Sequence, residues 1–270
     1  MKRKTNKNLI LGGTITGVML CLILVGFFWT PYDPEAMDSA NKLAGVSFSH
    51  LMGCDNFGRD IFSRVLKGSG TTLLVALGTV AIGAFFGLLI GAFTGYFGGI
   101  ADEILMRIND VLFAFPSILL ALVVISLLGS GTYNVIVALG IAFIPSFARI
   151  VRSEFLRCRD MDYIRSARLM GAKSLRIMFV HILPNTVPVL LSAVMIGFNN
   201  AVLAEAGMSY LGIGVQPPDA SLGRMLSEAQ TYLFSAPGYA VFPGIALILL
   251  VLGFSMLAEG IREQSEAGQG

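Results

Sequence analysis

Thr72 to Phe97 reads TLLVALGTVAIGAFFGLLIGAFTGYF, with no Asp, Glu, Lys or Arg anywhere in the run. A bilayer core of roughly 30 Å needs about 20 apolar residues per helical crossing, so this stretch is long enough to span. The same test, applied outward, marks further spans near 9–30, 111–130, 133–151, 182–204 and 238–258. Six crossings predict an all-α integral membrane protein. The composition agrees: 55% hydrophobic and 13% charged residues, against roughly 25% charged in a soluble domain. Gly83, Gly87, Gly91 and Gly95 recur at every fourth position of the opening run. They predict a flat helix face that packs closely on another helix, first of all one from the same chain.

Orientation follows from where Lys and Arg fall, because short cytoplasmic loops hold an excess of them. Lys2, Arg3, Lys4 and Lys7 precede the first span, and Arg149, Arg152, Arg157, Arg159, Arg165, Arg168, Lys173 and Arg176 cluster after the fourth. Both termini are therefore expected in the cytoplasm. The first span is expected to remain uncleaved, since Trp29-Thr30-Pro31 offers no small-x-small site. Cys21, Cys54 and Cys158 fall in a span, the outer loop and the inner loop, which excludes an internal disulfide and leaves Cys54 open to reagents from outside. His50 and His181 lie on opposite sides, and no spacing predicts a metal site.

Energy for transport has no source within the chain. Gly171-Ala172-Lys173-Ser174 lacks the phosphate-cradling spacing, and the spans carry almost no ionisable residue of the kind that couples ion flow. No nucleophile–base pairing points to an enzyme, and nothing points to nucleic acid. The inner loop DMDYIRSARLMGAKSLRIMFVHILPN, Asp160 to Asn185, predicts a short amphipathic helix. Asp162 caps it, Ile164, Ala167 and Met170 share a face, and Gly171 ends it in the left-handed conformation. Such a helix fits a peg that docks into another protein, or one resting on anionic lipid. In the outer loop Asp55-Asn56 and Gly58 read as a turn before Ile61, Phe62, Val65 and Leu66, interleaved with Arg59, Arg64 and Lys67. That pattern predicts an interfacial helix leading into the second span. Asn199, Asn200 and Glu205, with Met195 and Phe198 beside them, are the candidates for lining a pathway.

Ala167, Gly171 and Leu183-Pro184 resemble the cytoplasmic loop motif of binding-protein-dependent ABC permeases, with Arg165 and Ser166 where the motif has glutamate and alanine. Three further stretches are similar to the second membrane subunit of the dipeptide, oligopeptide and nickel branch. They are GCDNFGRDIFSR from Gly53, DEILMR from Asp102 continuing through Phe115-Pro116-Ser117, and LAEAGMSYLGIGVQPP from Leu203. The resemblance implies a type I importer permease fold. It divides the chain into a tail and first span (1–30), an outer loop with an interfacial helix (31–71), a permease domain (72–260) containing the coupling loop (152–181), and a cytoplasmic tail (261–270). It also implies coupling to the ATPase through Asp162, Tyr163, Ile164, Arg165, Ala167, Arg168, Met170 and Gly171. The implied partners are a homologous second permease subunit, two ATPase subunits that carry ATP and Mg, and an extracytoplasmic solute-binding protein. Short peptides are the expected cargo and nickel or a metal–chelator complex the alternative; an ion-coupled secondary transporter and a membrane scaffold are the rivals from other classes.

Overall fold

The computed structural model describes residues 7–267. Lys2, Arg3 and Lys4 of the basic amino terminus and 268–270 of the expected tail lie outside the described residues. A backbone in hydrocarbon must satisfy its own hydrogen bonds, which favours helices for an apolar chain. The described elements are α1 (Lys7–Phe28), α2 (Ile61–Phe97), α3 (Gly99–Ala114), α4 (Ser117–Leu128), α5 (Thr132–Arg159), α6 (Asp162–Leu169), α7 (Ser174–Tyr210), α8 (Leu222–Ala229) and α9 (Gly238–Ala267). Among the described residues α1, α2, α5, α7 and α9 are each long and apolar enough to cross a membrane.

The expected third span, 111–130, is not one helix. It straddles the bend of a pair, the end of α3 and all of α4, which meet at 95°. The bend has a local cause, since Phe115 is extended at φ −83 and ψ 137, the conformation imposed on a residue that precedes proline. Counted as one broken span, the bent pair brings the described crossings to six. In α7 the backbone widens to a π-helix over Ile177–Ile182, immediately before Pro184, which has no amide hydrogen to give.

The chain folds as two compact units. The first comprises residues up to Leu77, Ile125–Ile136 and everything from Asn199 onward; the second comprises Gly78–Val124 and Val137–Phe198. In the first unit α1 lies along α9 so closely that a Cβ on Gly12 would stand 2.4 Å from the Leu257 nitrogen. In the second unit the glycine face of α2 meets α5. A Cβ on Gly87 would lie 2.4 Å from Cβ of Phe147, and one on Gly91 would lie 2.4 Å from the Ala148 carbonyl oxygen. Gly83 and Gly95 face Phe143 and Phe155 in the same way. Any side chain at these four positions would separate the two backbones.

The outer segment departs from expectation. Residues 61–67 are the first turns of α2 itself, and Ile61, Val65 and Leu66 are buried together with Arg64. No interfacial helix forms there. The turn before it is built on Gly58, at φ +79 with the Asp38 carbonyl oxygen 1.8 Å from where a Cβ would be, so only glycine fits. Cys54 is likewise enclosed, 1% exposed. Burial pushes its thiol up to about 11, and the charges of Asp60, Asp55 and Asp38 act in the same direction.

Since a thiol must ionise to react, native Cys54 should resist an impermeant maleimide even though it lies in the outer loop. Phe48, fully exposed in that loop, provides the contrast. Phe48→Cys should label in intact cells with the outer wall removed, while the unsubstituted protein stays unlabelled. Equal labelling of the two would refute the enclosed loop.

Candidate functional site

Two clusters of functional side chains stand out, one in each unit. In the first unit, Glu228 on α8 is a hub. Its Oε2 accepts from Arg59 Nη2, Arg64 Nη2 and the Tyr239 hydroxyl, each at 3.0 Å. Its Oε1 accepts from Arg224 Nε at 3.2 Å. Asp55 supplies the second carboxylate, 2.6 Å from Arg59 Nε and 3.5 Å from Arg64 Nε. Arg59 and Arg64 are 5% and 1% exposed. Charges buried this deeply are tolerated only when paired. The hub ties the outer segment before α2 to α8 and to the start of α9. Sequence reasoning saw both arginines as surface groups, because Glu228, the carboxylate they share with α8, lies more than 160 positions away.

Glu205 on α7 is fully buried. Thr72 donates to its Oε2 at 2.9 Å and Ser209 to its Oε1 at 2.7 Å. Thr72 in turn accepts from the Leu222 amide, and Ser209 from the Val215 amide. This carboxyl group therefore knots α2, α7 and the start of α8 together within the chain. The expectation that Glu205 faces a pathway is corrected, and so is that for Phe198, which is 3% exposed. Met195 and Asn199 are half-buried and Asn200 is exposed. On α7 Asn200 shares the outward face with Ile196 and Leu203, 60% and 52% exposed.

The second cluster surrounds α6. The helix forms where expected, and Gly171 closes it at φ +81, with the Gly171 amide donating to Arg168 O and the Ala172 amide to Ala167 O, both at 3.0 Å. Two details differ. Asp162 does not cap the helix; the cap position is Met161 and carries no side-chain bond. The shared face of Ile164, Ala167 and Met170 is also divided. Ile164 and Ala167 are buried, and Ile164 packs in this chain's own core with Tyr96, Phe155, Cys158, Ile177 and Ile182. Met170 points away, 81% exposed, as does Leu169 at 89%. Leu175 adds a third exposed apolar side chain at 66%. Asp162, Tyr163, Arg165 and Arg168 are also on the exposed side. Burial raises the Tyr163 hydroxyl above its ordinary value.

The first helix of the bent pair is pinned to α5. Arg152 on α5 holds Asp102 on α3 through two bonds of 2.6 and 2.7 Å, the two-pronged geometry that suits guanidinium and carboxylate. Arg149 bonds Asp110 at 2.8 Å and lies 3.9 Å above the Phe113 ring. Asn109 donates to the Pro145 carbonyl at 3.2 Å. Two of the arginines that signalled orientation thus also fix α3 to α5.

Glu228→Gln keeps the shape but removes the charge facing two buried arginines. It should destabilise the folded chain by about 3–5 kcal/mol, read as a lowered melting temperature of the detergent-extracted complex; an unchanged melting temperature would show the hub to be dispensable. Ile164→Asp places an unpaired carboxylate in an apolar core, so it should reduce the amount of folded chain recovered from membranes. Normal recovery with weakened partner binding would mean that Ile164 belongs to a docking face instead.

Comparison with known proteins agrees with this architecture. Residues 83–267 match the family described as "Binding-protein-dependent transport system inner membrane component". The chain is 42% identical over 252 residues to the glutathione transport system permease protein GsiD of Pectobacterium atrosepticum, covering 92% of this chain and 84% of that one. It is 36% identical over 260 residues to the dipeptide transport system permease protein DppC of Alkalihalophilus pseudofirmus, covering 96% and 86%. Among solved structures, an inward-facing form of the MetNI methionine ABC transporter matches with a TM-score of 0.63 at 22% identity, over 74% of this chain and 95% of that one. With its multiple apolar spans and its matched length, the chain belongs to the family of binding-protein-dependent transport system inner membrane components.

Proposed function

We propose that this chain is one of two permease subunits in an ATP-driven importer of short peptides. The observation that carries the proposal is the exposed edge formed by the end of α6 and the start of α7. Leu169, Met170 and Leu175 stand out from the chain, with Arg165, Arg168, Lys173 and Arg176 exposed around them. An apolar tip ringed by cations, held by a buried helix root, suits insertion into a partner that couples motion to ATP. The ATPase contact runs through Leu169, Met170 and the exposed Asp162, Tyr163, Arg165 and Arg168, with Ile164, Ala167 and Gly171 holding the helix in place. Two ATPase subunits carry ATP and Mg, a homologous permease completes the path, and an extracytoplasmic binding protein delivers the cargo.

Peptide cargo is favoured because glutathione is itself a short peptide, so both relatives named above speak for peptides and neither for nickel. Both termini and α6 face the cytoplasm in this reading, and the chain divides into a first span, an outer loop, a permease domain from about 72 to 260 and a cytoplasmic tail. Asn200, with Met195 and Asn199 close by, lines this chain's half of the path. Alternating access follows when the ATPases close on α6 and rock one permease against the other.

Met170→Asp changes only the exposed tip, so the chain should insert and accumulate normally. In vesicles containing the assembled importer, peptide-stimulated ATP hydrolysis should fall by about tenfold or more, as when a central contact of an interface is lost. Undiminished hydrolysis and peptide uptake would remove α6 from the coupling path; ATP-dependent uptake of nickel without peptide would overturn the cargo.

A further inference from the structure

In the first unit a cleft of about 260 Å³ opens between α1, α2 and the start of α5. Its walls include Phe27 and Leu74, side chains of two membrane-crossing helices that are 54% and 46% exposed. Two charges of opposite sign, Lys67 and Asp219, line the same cleft. Thr132 donates to the Asp219 carboxylate at 2.9 Å and fixes its position. Among the described residues Lys67 forms no ion pair, so its ammonium is free to meet an anion. Tyr133 lines the cleft too and is 78% exposed, and Trp29, just past the end of α1, is 62% exposed. Exposed Trp and Tyr at the ends of apolar helices mark the headgroup level of a bilayer. The charged end of the cleft thus lies where lipid headgroups lie, and its apolar wall runs toward the hydrocarbon.

We infer that this cleft binds a phospholipid with a zwitterionic amine headgroup, as in phosphatidylethanolamine. Lys67 takes the phosphate, Asp219 takes the primary ammonium, and an acyl chain lies along Phe27 and Leu74. A headgroup with a phosphate alone would satisfy Lys67 but leave the Asp219 carboxylate facing a second negative charge, so the paired signs select the amine. Charge-assisted hydrogen bonds are the stronger kind and add directional preference. On the orientation proposed above, the bound lipid belongs to the outer leaflet. Its binding does not depend on which cargo is carried.

The test uses the assembled transporter in nanodiscs of mixed phosphatidylethanolamine and phosphatidylglycerol. After extraction and stepwise delipidation, the lipids that remain are identified by mass spectrometry. The unsubstituted complex and a Lys42→Ala control, altered at an exposed lysine away from the cleft, should retain phosphatidylethanolamine. Lys67→Ala should lower that retention about tenfold, the scale of one lost charge-assisted contact. Asp219→Asn should retain phosphatidylglycerol as readily as phosphatidylethanolamine. Equal retention in all four proteins, or a preference for phosphatidylglycerol in the unsubstituted complex, would overturn the assignment. Release of the lipid by an added dipeptide would overturn it as well, since the cleft would then be a subsite for cargo.

Discussion

A half-buried carboxylate bonded by three arginines and a tyrosine organises the outer side of the first unit. Glu228 draws Arg59, Arg64, Arg224 and Tyr239 to one point, and Asp55 balances the arrangement from the other side. Without it, two guanidinium groups would sit in an apolar interior with too little compensation, a situation proteins avoid. That pairing ties the end of the outer loop and the start of α2 to α8. Glu205 does the same a little further in, using hydroxyls and amides in place of cations.

Much of the fold was legible because the spans are defined by what they lack. A run without charges needs no periodicity to be recognised, and five of the six expected crossings appear as continuous helices. The sixth is broken at Phe115-Pro116, a dipeptide whose sequence carries the signal for an extended residue; hydropathy averaging smoothed it away. The glycine face of α2 was legible too, since small residues at every fourth position have few uses other than close packing.

The sites were harder to read, for a reason particular to each. Ile164, Ala167 and Met170 share one side of an ideal helix, but periodicity cannot say whether an apolar face is covered by the same chain or by another. Here the first two are covered from within and the last is not. Arg59 and Arg64 looked like interfacial cations because only one of their two carboxylate partners, Asp55, is near them in sequence; the other, Glu228, is not. Glu205 looked like a pathway residue because carboxylates in spans are rare and costly. Its burial among Thr72 and Ser209 supplies another answer to the same cost. In each case the chemistry of the residue was inferred correctly, and the identity of its neighbour was not.

The seam between α2 and α5 has a mechanical consequence. Where two helices meet through Gly83, Gly87, Gly91 and Gly95, the glycine backbone rests against backbone, Cβ atoms and, at Gly83, the Phe147 ring, and few long flexible side chains intervene to absorb displacement by changing rotamer. Such a joint is stiff. Ile164 and Phe155 pack at its end together with Ala92 and Tyr96, so α6 is seated directly on this close-packed pair.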